Sequence, residues 1–350
     1  MDSFERVNKV MKGEGPDRPP LFDLLRNDDA ISFFADEELT ETNKDRLVYR
    51  AIGNALDSTK QFIRIPEQPR EEYLADGRKV SYERWTIWIE PLKFADVEQA
   101  AKYLRSVLSS PESFIGDPKQ YAKQGEDDYL KKKAAIGDIA LFLEIDTTEG
   151  FHPFYELLGI EMLSYLIMDY PGLIGEYLDL CVQRSLKRIE ALSICDKLPG
   201  VFYGVDLAYR SGPMFSPTFL RKQVFPRMEK VIDAYHRRGI PVLYHSDGNL
   251  WPILDDLVAL GIDGLNPIET LAGMDLGKLR EHYPDLIFVG GIDCSQLLPF
   301  ASPSEVVNTV KKAIQVAGPG YLVGSSTEIY EGIPLDNIKA MIDTAKEYIY

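Results

Sequence analysis

Short apolar runs followed by longer amphipathic stretches recur along this chain, and no other feature constrains its fold as strongly. A buried strand reads as a short apolar run, and a helix as apolar residues spaced near 3.6. The clearest unit starts with Ile240-Pro241-Val242-Leu243, a strand by this rule, and continues into a helix over 250–260. Between them lies Tyr244-His245-Ser246-Asp247-Gly248-Asn249, so a histidine and a carboxylate fall where a strand ends. Ligands of parallel α/β folds bind at that end of the strands. A His-x-Asp pair there can hold a divalent metal or act as acid and base. It can equally be a hydrogen-bonded histidine beside an aspartate that caps the next helix.

The same unit repeats in both directions. Residues 3–13 read as a first helix, with Ser3 as cap and Gly13 as stop. Leu21-Phe22-Asp23-Leu24-Leu25 is the first strand, a helix covers 42–56, and Gln61-Phe62-Ile63-Arg64-Ile65 is the second strand. An interruption follows. Asp76-Gly77 lies between two β segments, a hairpin signal, and Ser81 to Ile89 alternates around Trp85 and Trp88. This predicts a β-hairpin insertion after strand two, read as a plain surface hairpin for its tryptophans, with a lid or partner surface as the other reading. Helices over 97–107 and 117–136 lead to the third strand, Ile139 to Glu144. That strand runs into Thr147-Thr148-Glu149-Gly150-Phe151-His152, a loop rich in ligand-binding side chains. Helices 156–169 and 172–194 precede the fourth strand, Gly200 to Asp206, and Ser216-Pro217 opens the next helix. The sixth strand is Gly264 to Glu269, the seventh Leu286 to Gly291 and the eighth Tyr321 to Gly324. Helices near 275–283, over 303–317 from the cap Ser302, and from Pro334 follow them.

Eight strand-and-helix units without a linker predict one domain over 1–350, a closed (β/α)8 (TIM) barrel. Composition permits this. At 350 residues, 45% hydrophobic and 27% charged, the chain has an ordinary globular balance. A net charge of −16 argues against nucleic acid or an anionic membrane as partner. Cys181, Cys195 and Cys294 form no CxxC pair, which fits a reducing cytoplasm. The first residues lack the basic and apolar regions of a signal peptide, and no run approaches the roughly 20 apolar residues of a membrane span.

In such a barrel the strand ends gather Arg26, Arg64, Glu144, His152, Asp206, Arg210, His245, Asp247, Glu269, Asp293, Cys294 and Glu328 at one mouth. Clustered carboxylates are costly unless protonated, paired with arginine or bound to a cation. His245 and Asp247, with Glu269 or Glu328, form a nitrogen and oxygen set suited to zinc or another transition metal. Any one of these side chains is more readily structural; their convergence is what points to a site. Asp233-x-x-His236-x-x-Gly239 is one residue away from a corrinoid-domain signature and reads instead as a helix end.

Several longer stretches resemble one superfamily, that of uroporphyrinogen decarboxylase and the corrinoid-dependent methyltransferases. They are Asp17-Arg18-Pro19-Pro20, Gly204-Val205-Asp206, Gly212 to Pro217, His245 to Asn249, Gly261 to Glu269, Gly290-Gly291-Ile292-Asp293, and Gly324 with Pro334-Leu335-Asp336-Asn337. The resemblance implies a (β/α)8 barrel, in agreement with the strand count. The decarboxylase branch would carry a second arginine where Asp28 and Asp29 stand, an aspartate at the end of strand two, where Phe62-Ile63-Arg64-Ile65 has none, and a histidine at Thr327. The methyltransferase branch would hold zinc by a His-x-Cys pair and a later cysteine; here His245 is kept while Asp247 and Thr327 replace the cysteines.

The resemblance therefore implies first a methyltransferase component. It would move a methyl group from a small donor, methoxylated aromatics being one class, to the corrinoid of a separate partner protein. Zinc would sit on His245, Asp247 and Glu269. Glu269 or Glu328 would activate the leaving atom, Asp206 would assist, and Arg26, Arg64, Glu144, His152, Tyr203 and Arg210 would bind substrate. The alternatives are a metal-free decarboxylase whose arginines grip a tetrapyrrole's carboxylates, and a non-catalytic binding barrel. A monomer or homodimer is the implied assembly.

Overall fold

The computed structural model describes residues 1–144 and 150–350. The strands, in chain order, are β1 (Leu25–Arg26), β2 (Ser58–Lys60), β3 (Arg70–Tyr73), β4 (Lys79–Tyr82), β5 (Ile87–Ile89), β6 (Ala140–Phe142), β7 (Val201–Gly204), β8 (Ala208–Tyr209), β9 (Gly212–Pro213), β10 (Val242–His245), β11 (Gly264–Asn266), β12 (Ile287–Ile292), β13 (Tyr321–Ser325) and β14 (Ile329–Tyr330). Helices separate most of the inner strands, giving a mixed α/β fold with a parallel sheet. Its main ladder has the order β13-β12-β11-β10-β7, and β2-β6 and β1-β14 are further parallel pairs. Among the described residues no single ladder closes through all the parallel strands. The links between the ladders are single bridges, Leu21 to Val323, Phe22 to Ser58 and Leu143 to Val201.

The strands are covered on both faces, and their period of two sorts the side chains. Phe22, Phe142, Phe202, Leu243, Val289 and Leu322 share an inner cluster with Val7, Val10 and Met11. These last three belong to α1 (Ser3–Met11), which closes that end of the strands. The alternate residues Tyr203, Tyr244, Leu265, Phe288 and Tyr321 join the outer cluster, against the helices. Tyr203, expected to bind substrate, thus faces the wrong way. Phe202 takes the inward position in β7, and Tyr203 is fully buried in the outer layer.

Local signals mostly settle as expected. Ser302 forms a full capping box with Glu305, and Ser216 caps at Pro217. At the start of the chain the cap is Asp2, whose Oδ1 accepts from Glu5 N–H at 2.7 Å. Ser3 lies inside the helix, and its hydroxyl donates to Asp57 instead. Between β2 and β6, the strands β3, β4 and β5 form a three-stranded antiparallel sheet. Its two tryptophans differ. Trp88 is exposed, whereas Trp85 is buried and donates through Nε1 to Asp28 (3.0 Å) and Glu331 (2.7 Å). No helix among the described residues is long and apolar enough to cross a membrane.

One buried charge fastens the closed end. Asp57, only 1% exposed, accepts from Arg18 at 2.7 and 2.9 Å, Arg6 at 2.8 Å, Ser3 Oγ at 2.6 Å and Leu21 N–H at 3.0 Å. Arg6 also pairs with Asp17 at 2.6 Å. Burial acts to raise the Asp57 carboxyl, but Arg18, Ser3 and the backbone donor outweigh it and hold the group below its ordinary value. Its contribution to stability is therefore present above the unfolded carboxyl range and lost as pH falls through the folded value. Removing one partner of a buried ion network costs about 3–5 kcal/mol, since the remaining charges stay buried. Asp57→Ala is expected to lower the unfolding free energy by about that much in urea titrations; a loss below about 1 kcal/mol would show that the network is dispensable.

Candidate active site

The opposite strand ends carry the polar groups. In the ladder His245 pairs with Gly204 of β7 and Asn266 of β11. His245 lies two residues after the inward Leu243, so it shares that face. The neighbouring Gly204 leaves it lateral room. Its Nδ1 stands 2.7 Å from Asn266 Oδ1. An amide oxygen only accepts, so this contact makes Nδ1 the donor and turns Nε2 toward the mouth. Nε2 is 3.6 Å from Asp206 Oδ1, and the same oxygen accepts from Asp247 N–H at 3.3 Å.

Asp206, His245 and Asp247 each bring one ligand atom within 4.8 Å of the others. Asp247 Oδ1 is buried and has no hydrogen-bond partner among the described residues, an arrangement that costs stability unless something binds it. Burial is the main force pushing the Asp247 carboxyl above its ordinary value; His245 opposes this, and Asp206, Glu269 and Glu328 add to it. An orphaned buried carboxylate oxygen beside an imidazole lone pair and a second carboxylate fits a divalent cation. Asp247 is not a helix cap: Asn249 Oδ1 accepts from Trp251 N–H at 3.1 Å.

Glu269, expected as a metal ligand, stands outside this group of three. Its Oε2 accepts from Gly248 N–H at 2.7 Å, so it holds the loop that carries Asp247. Gly248 has φ of +91°, and an added Cβ would meet Tyr209 O at 2.6 Å. Only glycine fits there. His152 also turns toward support: its Nδ1 accepts from Asp206 N–H at 2.9 Å, its Nε2 lies 3.3 Å from Glu156, and its ring stacks on Tyr155. Tyr155 in turn donates to the Asp206 carbonyl at 3.0 Å.

Across the mouth, Arg26 pairs with Glu328, and Lys60 reaches Glu144 at 3.1 Å. Glu144 also accepts from Phe62 N–H. Arg64 is half-buried; its Nε has no hydrogen-bond partner, and its guanidinium lies 4.5 Å from the Phe62 ring. Arg210 is exposed and donates to the Leu271 carbonyl at 3.1 Å. Asp293 accepts from Ser295, Gln296 and Leu297, which together outweigh its burial and hold it low. Cys294 is buried against Ser326, and burial raises its thiol. The segment Thr147-Thr148-Glu149 lies outside the described residues.

Sequence reasoning missed Asp23, Lys60 and Asn266. Asn266 was visible as a polar residue at the end of an apolar strand. Asp23 was hidden in a strand whose outward side it shares. It accepts from Ser325 N–H (2.7 Å), Ser325 Oγ (2.8 Å) and Leu24 N–H (2.8 Å). Burial dominates those donors and pushes its carboxyl up to about 7.

Two measurements follow from this geometry. Removing the Asn266 acceptor frees the His245 ring, so Asn266→Ala is expected to weaken divalent-cation affinity about ten- to a hundredfold in calorimetric titration with zinc. Equal affinity in variant and wild type would show that Asn266 does not orient a ligand. Asp23 in the folded state keeps its proton to about 7, while the unfolded group releases it near the ordinary value. The folded state then binds more protons in that window, so this group makes stability fall as pH rises through it. Asp23→Asn is expected to flatten that part of the stability–pH curve, and an unaltered slope would refute the assignment.

Residues 203–348 match the uroporphyrinogen decarboxylase (URO-D) family model. The methylcobamide:CoM methyltransferase MtbA of Methanosarcina acetivorans is 25% identical over 132 residues, covering 38% of each chain. A uroporphyrinogen decarboxylase of Anaeromyxobacter sp. is 26% identical over 134 residues, covering 37% of each. The match thus spans well under half the length of either relative. A methyltransferase from Methanosarcina mazei superposes on 99% of this chain with a TM-score of 0.66 at 16% identity, a likeness of fold alone. The segment 203–348, which contains Asp206, His245, Asp247 and Glu269, carries a uroporphyrinogen decarboxylase family domain, in the superfamily that also holds the corrinoid-dependent methyltransferases.

Proposed function

We propose that residues 1–350 form one (β/α)8 barrel that acts as a methyltransferase component, passing a methyl group from a small donor to the corrinoid of a separate partner protein. The observation that carries this reading is the Asp206–His245–Asp247 cluster with its unpartnered Asp247 oxygen. The cluster would hold a divalent cation, zinc being the best match to its imidazole and carboxylates. When bound, such a cation supplies Lewis acidity toward the heteroatom that carries the methyl group.

The chain's own residues do the rest. Asn266 fixes the His245 ring, His152 and Tyr155 fix the Asp206 backbone, and Glu269 fixes the Asp247 loop. In such a transfer the methyl–heteroatom bond would break, the methyl group would pass to the electron pair that the partner's reduced corrinoid would supply, and the heteroatom would keep the old bonding pair. That heteroatom then takes a proton. We assign the relay of that proton from solvent to Glu328, the mouth carboxylate held by Arg26. The proposal sets the chain in the cytoplasm, where its three cysteines stay free, as a monomer or homodimer.

A carboxy-lyase acting on a tetrapyrrole is the second reading, favoured by the decarboxylase name of one relative and by the arginines along β1 and β2. The two separate in one experiment. The protein, loaded with zinc, is incubated with reduced cobalamin or a corrinoid protein and a panel of methoxylated aromatics, and methylcobalamin is followed by absorbance. Methylation is expected, with at least about a hundredfold loss in His245→Ala. Absence of cobalt methylation across the panel, with coproporphyrinogen formed from uroporphyrinogen, would replace the first reading by the second.

A further inference from the structure

The cations at the mouth are not equally committed. Arg26 is bound to Glu328, Lys60 to Glu144, and Arg210 to a carbonyl on the surface. Arg64 alone of these four has neither an ion pair nor a hydrogen bond among the described residues, and its Nε is buried without a partner. It is held by an aromatic face, Phe62, which orients a planar guanidinium but does not neutralise it. Burial and the neighbouring charge of Arg26 both act against its protonated form. Polar groups left unmade in this way cost free energy that a ligand recovers.

The position of Arg64 says what the ligand needs. It follows β2, while the cation cluster follows β7 and β10, on the far side of the run of strands that passes through β6. Glu328, paired with Arg26, is within electrostatic reach of Arg64 and Asp247 alike. One edge of the mouth is therefore cationic and the other built for a metal. We propose that the methyl donor carries a carboxylate, bound by Arg64, at the end remote from the methyl-bearing heteroatom. A guanidinium matches a carboxylate with two parallel hydrogen bonds. A single negative charge suits the surroundings better than a phosphate dianion, because Glu144 and Glu328 already stand within reach of the same arginine.

This inference rests on the methyl-donor reading, but its test does not need methyl transfer. Binding of para-methoxybenzoate, methoxyacetate, para-methoxybenzamide and inorganic phosphate to the zinc-loaded full chain is measured by calorimetry, without corrinoid. The carboxylates are expected to bind about ten- to a hundredfold more tightly than the neutral amide, the range of a charge-assisted hydrogen bond. Arg64→Gln should abolish that preference, and Arg64→Lys should restore part of it. Equal binding of acid and amide, a preference that survives Arg64→Gln, or tighter binding of phosphate would overturn the proposal. A carboxylate preference in a protein that never methylates cobalt would sink the methyltransferase reading and leave the Arg64 subsite standing. Methylation from neutral donors alone would do the reverse.

Discussion

Asp57 joins parts of the chain that have little else in common. Its carboxylate takes Arg6 and Ser3 from the helix that closes the strands, and Arg18 and the Leu21 amide from the entry to the first inner strand. Its backbone pairs with Leu21 on one side and Ala140 on the other. A charge buried this deeply survives only when its donors are fixed. Fixing them sets the register of β2 against β6, hence the inward direction of Lys60, three residues along. The closed end thus determines where the open end presents its groups.

At the open end, charge is sorted by position around the strands. Lys60, Arg26 and Arg64 lie on or beside β1 and β2, and Asp206, Asp247 and Glu269 follow β7, β10 and β11. Pairing inside each half is incomplete by one group: Arg64 on one side and an Asp247 oxygen on the other. Among the described residues, then, one unpartnered group of each sign stands at the mouth. Glu328, the carboxylate whose charge reaches both, is already engaged by Arg26 and only opposes the ionised form of Asp247.

Much of this was legible in the sequence, and the reasons for the rest are specific. Strand and helix alternation revealed the mixed α/β fold because burial on both faces makes each strand a compact apolar run. His245 and Asp247 stood out because a histidine and a carboxylate two residues apart end an apolar run, although the same pair reads equally as a tethered ring and a cap. Tyr203 misled because apolar runs conceal which residues face inward; only the partner strands show that Phe202 does. The tryptophans of the inserted sheet look alike in sequence, but Trp85 finds Asp28 and Glu331, more than 200 residues apart from one another in the chain.

Glu269 shows why choosing among carboxylates needs geometry. By sequence it and Asp206 are equivalent, each closing a strand next to His245. The difference lies in the backbone of the intervening loop. Gly248 takes a left-handed turn against the Ala208–Tyr209 backbone, which points its N–H at Glu269 and carries Asp247 toward Asp206. A carboxylate that accepts a backbone N–H at 2.7 Å has one oxygen spent on holding the loop. Asp206 accepts the weaker 3.3 Å bond from Asp247 and keeps the His245 lone pair in view. A single glycine thus commits one carboxylate to holding the loop and leaves the other facing His245.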